Sequence, residues 1–278
     1  MAETPTDTDL DRKPAGAPAA RALLASLKPA SAAATPCKIC GGAAAVYGAV
    51  DFHKSCEEWR GSRLPPADVP ITYRRCASCG FLFTDAFDDW SEAQFSEHIY
   101  NAGYAAVDPD YQLSRPRGNA GLVDRLWGQY KDKLRVLDYG GGNGVLCNDL
   151  RAAGYPVAVS YDPLVAQYAQ RPEGKFNLVT CFETLEHMPD PLAGIASILA
   201  SIDEPGFVML STVVQPMEFD KIGLDWWYIG PRNGHISIFS HQALVLAWQR
   251  YGYQLVSFHD GMHFAYRVLP EFAQSIAK

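Results

Sequence analysis

Residues Arg135 to Val145 read RVLDYGGGNGV, and this stretch constrains the fold more than any other. An apolar β-type run, Arg135-Val136-Leu137, ends in Asp138, and Gly140, Gly142 and Gly144 follow in alternation. Val145, Leu146 and Leu150 then repeat at helical spacing. A strand that passes through a glycine turn into a helix is the opening unit of an α/β sheet. Glycines serve where backbone turns with positive φ and approaches a ligand, and a helix start offers unpaired N–H groups to it. The segment predicts a small-molecule site, against the plainer reading that the turn only joins strand to helix.

The ligand follows from the spacing and the acid. A dinucleotide turn is written G-x-G-x-x-G, whereas these glycines alternate as G-x-G-x-G behind a carboxylate. A pyrophosphate is repelled by that carboxylate, while an amine or sulfonium is attracted. The segment resembles motif I of the class I S-adenosylmethionine-dependent methyltransferases, and the resemblance extends over roughly Leu134 to Arg267. It implies S-adenosylmethionine held by Asp138, Gly140, Gly142 and Asn143.

Gly154 is expected to close the helix, and a strand over Tyr155 to Tyr161 ends in Asp162. The resemblance implies that Asp162 accepts from the ribose hydroxyls, as an acceptor-only carboxylate can; a turn-forming Asp-Pro is the competing reading. Pro163 to Lys175 is too short for a full helix plus a third strand, so one element is shortened. The strand Phe176 to Phe182 leads into Glu183-Thr184-Leu185-Glu186-His187-Met188-Pro189-Asp190-Pro191, similar to the E-x-x-E-H-x-x-D-P loop of one methyltransferase subgroup. That likeness implies Phe182 and Glu183 beside the cofactor.

Asp190 caps a helix with Pro191 in its first turn and Leu192, Ile195, Ile198, Leu199 and Ile202 as its stripe. Glu204-Pro205-Gly206 should turn into a strand over Phe207 to Thr212. Ser240 caps a helix running to Tyr251, and strands near Gln254 to Phe258 and His263 to Val268 flank the Asp260-Gly261 turn. The expectation is a Rossmann-like methyltransferase fold over 134–278, with a mostly parallel, seven-stranded-type sheet and an antiparallel last hairpin. Val213 to Phe239 fits neither period; with Trp226, Trp227 and Tyr228 around Asp225, Arg232, Asn233 and His235, it is the candidate substrate-recognition insertion, or else core beneath a long loop.

Methyl transfer to a hydroxyl needs alignment and a base for the proton. His187 and His235 are the two candidates, with Glu183 or Glu186 orienting a histidine or serving as base. Either histidine could instead be structural.

A second signal lies upstream. Cys37-x-x-Cys40-Gly41 and Cys76-x-x-Cys79-Gly80 have the spacing that closes four thiolates around a structural Zn2+. His53 and Cys56, between the pairs, are expected to be spectators. No signal peptide is visible, the seven cysteines are odd in number, and Cys147 and Cys181 fall on buried elements, so disulfides are not expected. Residues 36–82 should form the zinc module, 1–35 a flexible tail with Arg21 to Lys28 its one plausible helix, and 83–133 a lid and linker. Trp90, Tyr100, Tyr104 and Tyr111 would offer that lid stacking faces.

A net charge of −7, with Asp85, Asp88, Asp89, Glu92 and Glu97 after the knuckles, argues against a nucleic-acid partner. No run approaches a membrane span, so a cytoplasmic location and no membrane partner are expected. The pattern partly resembles bacterial enzymes that methylate sugars or related metabolites. O-methylation of a hydroxylated small molecule is the favoured reading; an RNA or protein methyltransferase using the zinc module for recognition, or a non-catalytic cofactor-binding protein, stays open.

Overall fold

Strand and helix flank the glycine turn as the sequence requires, in a computed structural model that describes residues 17–277. In chain order the strands are β1 (Thr35–Pro36), β2 (Ala43–Asp51), β3 (Pro70–Cys76), β4 (Leu82–Phe83), β5 (Arg135–Tyr139), β6 (Val157–Tyr161), β7 (Phe176–Phe182), β8 (Ile202–Ser211), β9 (Ser237–Ile238), β10 (Gln254–His259) and β11 (Met262–Tyr266). The α-helices are α1 (Ala17–Ser26), α2 (Glu92–His98), α3 (Ser114–Trp127), α4 (Val145–Ala152), α5 (Pro191–Leu199), α6 (Phe219–Ile222) and α7 (His241–Gln249).

The larger sheet has the order β10-β11-β8-β7-β5-β6. β6, β5, β7 and β8 run parallel, and β11 and β10 close the edge antiparallel. It has six strands among the described residues rather than the expected seven. The missing strand is the third: residues 163–175 form only turns, too few to cross the sheet and return. β7 is buried on both faces, as a central parallel strand must be, and this accounts for its unbroken apolar run.

Capping proceeds as read. Asp190 Oδ1 accepts from the Ala193 N–H at 3.0 Å, and Ser240 Oγ accepts from the Ala243 N–H at 3.0 Å. In α5, Ile195 and Ile198 are buried and Leu192 and Leu199 partly so, while Ile202 already belongs to β8. The turn expected at Glu204-Pro205-Gly206 is instead a bulge inside β8, where the ladder jumps from Phe176↔Ile202 to Leu178↔Phe207.

The smaller sheet is ordered β1-β2-β3-β4-β9. Its last strand comes from the 213–239 insertion, with Leu82↔Ile238 and Phe83↔Ser237 paired antiparallel. The cysteine-bearing region is thus stitched into the larger domain through backbone hydrogen bonds. The flexible tail expected for 1–35 is revised from residue 17 onward, since α1 buries Leu23, Ser26 O accepts from Trp90 Nε1, and Arg74 holds the Ser31 and Ala33 carbonyls. Residues 1–16 lie outside the described residues. The lid aromatics are also revised: Trp90 and Tyr104 are buried and Tyr100 and Tyr111 pack against the same cluster, so they are core rather than open stacking faces.

Candidate active site

The two cysteine pairs fold into matching knuckles. In each, the N–H of the glycine after the second cysteine donates to the first cysteine's carbonyl, Gly41 to Cys37 at 2.9 Å and Gly80 to Cys76 at 3.0 Å. Both glycines have positive φ, 74° and 72°, which L-residues with a Cβ resist. The four sulfurs lie within 4.8 Å of one another, with Cys37 to Cys79 at 3.6 Å and Cys40 to Cys76 at 3.5 Å. Thiolates about 2.3 Å from a tetrahedral zinc stand roughly 3.8 Å apart, so the set fits that ion and is far too open for disulfides. His53 bonds the Pro65 carbonyl and Cys56 lies beside His235, so neither joins this cluster.

At the glycine turn, Gly140, Gly142 and Gly144 have φ of 75°, 53° and 76°. A Cβ at Gly142 would stand in open space, so nothing among the described residues packs over this part of the turn. Asp162 braces it: Oδ2 accepts from the Gly142 N–H and Oδ1 from the Leu164 N–H, both at 2.9 Å. Each oxygen keeps lone pairs for further donors. Asp138 is turned in beneath the turn, 4% exposed, and accepts from Thr180 Oγ1 at 2.6 Å. Burial raises its carboxyl to about 7, helped by the Asp162 charge and opposed by the Thr180 bond. Gly141 is what lets Asp138 pack there, because a Cβ would come within 2.6 Å of Oδ2. Asn143 faces the linker instead, donating to the Gln112 carbonyl at 2.7 Å.

Phe182 is buried at the end of β7, and Glu183 follows in the left-handed region with φ 49°. For a residue with a Cβ that conformation costs on the order of 1–2 kcal/mol. Ser211 holds it: the Glu183 N–H donates to Ser211 Oγ at 3.0 Å, and that hydroxyl donates to Glu183 Oε1 at 2.8 Å. Strain kept in place by its surroundings makes Glu183 a candidate functional position.

Glu183 opens onto a cavity of about 300 Å³ whose walls come from several parts of the chain, Ser211 of β8 among them. The excursion between the knuckles supplies Cys56, Trp59 and Arg60, and the linker supplies Asp108 and Arg115. The loop after β7 supplies His187, and the insertion supplies Trp227, Tyr228, Asn233 and His235. Arg115 is bidentate to Asp108 at 2.8 and 2.7 Å. His235 Nδ1 lies 2.8 Å from the Tyr228 carbonyl. A carbonyl only accepts, so Nδ1 carries the hydrogen and Nε2 keeps its lone pair.

His187 packs edge-on against His235 with centroids 4.9 Å apart, and its Nδ1 has no hydrogen-bond partner. Burial lowers His187 to about 4 and His235 well below the ordinary histidine range, the latter also repelled by His187, so both are neutral at physiological pH. Glu186 is fully buried; Tyr228 donates to its Oε1 at 2.6 Å, and Oε2 has no partner. Burial first, and then the Glu183 charge, pushes Glu186 up to about 8. Donor atoms of Glu186, His187 and His235 lie within 4.8 Å of one another, close enough to hold a cation.

The structure therefore brings His187, His235 and Glu183 to one cavity. The insertion is both cavity wall and core: Trp226, Tyr228 and Ile236 are buried, Trp227 faces out, and Asp225 is exposed rather than part of the polar centre. Sequence reasoning did not reach Trp59, Asp108, Arg115 or Ser211 as lining residues, because they belong to no motif.

Fold and site together define a Rossmann-like protein that cradles a small ligand at the carboxyl ends of its strands. Residues 111–258, just over half of the chain, match the family model described as a methyltransferase domain, and the chain belongs to that family. A ubiquinone biosynthesis O-methyltransferase of Aromatoleum aromaticum is 31% identical over 118 residues, 34% of this chain and 47% of that protein. One from Burkholderia ambifaria is 34% identical over 119 residues, 33% and 51% of the respective chains. The chain thus spans about half the length of the curated relatives it matches. Among solved structures, magnesium protoporphyrin IX methyltransferase from Synechocystis PCC 6803 with bound SAH aligns over 65% of this chain and 96% of that one, at 18% identity and a TM-score of 0.43. No helix among the described residues is long and apolar enough to cross a membrane.

Proposed function

We propose that this chain transfers a methyl group from S-adenosylmethionine to a hydroxyl of a small molecule, and that a structural zinc bound by Cys37, Cys40, Cys76 and Cys79 holds the acceptor cavity in shape. The observation that carries the reading is the glycine turn at the end of β5, braced by Asp162, on the same parallel sheet whose β7 leads into Glu183 and its cavity. The family membership supports methyl transfer, and the O-methyltransferase relatives support oxygen as the acceptor atom.

Bound S-adenosylmethionine supplies a methyl group already activated on a sulfonium. Gly140, Gly142 and the α4 N-terminus would hold it, Asp162 would accept from its ribose hydroxyls, and Asp138 and Phe182 would support it from the strand ends. Asp138 contributes negative charge beneath the turn, with Thr180 stabilising its ionised form. The acceptor hydroxyl lies in the cavity, where His235 Nε2 takes its proton; the Tyr228 carbonyl keeps the ring in the required tautomer. His187 packs against that ring and fixes its plane. Glu183, oriented by Ser211, accepts a hydrogen bond from the acceptor and stabilises the imidazolium that forms. Closure by Trp59, Arg115 and Trp227 limits water, which would otherwise compete for the base. Calorimetric titration with S-adenosylhomocysteine tests the cofactor half, and its formation with a hydroxylated acceptor tests the transfer.

A further inference from the structure

Two tryptophans at the mouth of the cavity are left exposed, Trp59 by 62% and Trp227 by 40%, although each is large enough to be buried with profit. They come from distant segments, one from the excursion between the knuckles and one from the insertion, and their rings stand 6.2 Å apart at 56°. The Arg60 guanidinium lies over the Trp59 ring at 5.0 Å and limits its orientations. Exposed aromatic faces gathered at a cavity rim mark a ligand surface.

The polar lining says what docks against their exposed faces. Arg115 is held bidentate by Asp108, and Arg60 pairs with Glu57 at 3.2 Å and Asp110 at 3.3 Å. Each arginine of the lining is therefore already matched by a carboxylate, with Glu183 in addition, so an anionic ligand gains no free countercharge. The groups aimed at the reacting position, the Glu183 carboxylate and His235 Nε2, are acceptors, which requires the ligand to bring the donors.

Resting on the function proposed above, we propose that Trp59 and Trp227 form a clamp that stacks on the face of an uncharged ring carrying at least two hydroxyls, one facing Glu183 and one facing His235. An aromatic diol and a pyranose both present a flat face with hydroxyls on the rim, and the test separates them. The clamp also gives the knuckle region a direct part in acceptor choice.

The experiment is a ligand-observed NMR titration of the full chain, with S-adenosylhomocysteine added, using catechol, methyl β-D-glucopyranoside and, as the charged comparison, benzoate. Saturable binding of catechol or of the glucoside is expected, with benzoate at least about tenfold weaker. Trp59→Ala and Trp227→Ala should each weaken the bound probe about tenfold, and Trp59→Phe should restore most of it. Both side chains are exposed, so these variants should fold, which unchanged affinity for S-adenosylhomocysteine would verify. The clamp is overturned if neither neutral probe binds, if benzoate binds equally well, or if both alanine variants bind as the wild type does. Should S-adenosylhomocysteine itself fail to bind, the cofactor reading falls, and the same titration without it judges the clamp separately.

Discussion

Lys38, the second residue of the first knuckle, donates to the carbonyl of Pro189 at 2.8 Å, across 151 positions of sequence. Its ammonium also reaches the Thr84 carbonyl and Asp88. The knuckle that presents two of the four clustered cysteines thereby grips the loop that carries Glu183, Glu186 and His187. Together with the β4–β9 pairing, this ties the knuckle region to the loop and the insertion that line the candidate site.

Zinc should therefore matter to acceptor turnover as well as to stability. Metal analysis of the purified protein is expected to give about one equivalent of zinc, and Cys79→Ser should lower the content, the melting temperature and turnover. Less than about half an equivalent in undamaged wild-type protein would contradict the four-thiolate site.

Glu186 predicts a pH-dependent stability. Its carboxyl is raised to about 8 in the folded chain against about 4.5 unfolded, so the folded state holds a proton that the unfolded state has lost. That contribution is complete below about pH 4.5 and is lost as pH rises towards 8. Glu186→Gln cannot ionise, so relative to wild type it should melt progressively higher as pH goes from 5.5 to 8.5. A difference in melting temperature that stays constant over this range would show that Glu186 is not held protonated.

His235 predicts the rate. A positioned general base contributes about 10²–10⁴-fold, so His235→Ala should lower kcat by at least about a hundredfold with little change in affinity for S-adenosylhomocysteine. Because burial lowers His235, the imidazole is already deprotonated at neutral pH, and wild-type kcat at saturating substrates should not fall between pH 8 and 6. Unchanged turnover in both His235→Ala and His187→Ala would remove the histidine base from the mechanism.

What the sequence revealed and what it hid divide along one physical line. The glycine turn, the Asp190 and Ser240 caps, and the two knuckles were legible because each is built from residues a few positions apart, where spacing alone determines geometry. The shortened element was legible as a deficit of chain after Asp162, although the loss of a whole strand needed the sheet to be seen. By contrast, Ser211 with Glu183 and Cys56 with His235 meet only through tertiary packing, and no local pattern announces them. The lid aromatics misled for a related reason: composition marks Trp90 and Tyr104 as aromatic, but only packing decides whether a ring is core or platform.

Binding of S-adenosylhomocysteine, measured by calorimetry on wild type and Asp162→Ala, tests the central claim most directly. The account predicts saturable binding near one ligand per chain for wild type. It predicts at least about tenfold weaker binding for Asp162→Ala, which loses hydrogen bonds to a charged acceptor worth about 1.5–3 kcal/mol each. Absence of binding to folded, zinc-loaded wild-type protein would contradict it.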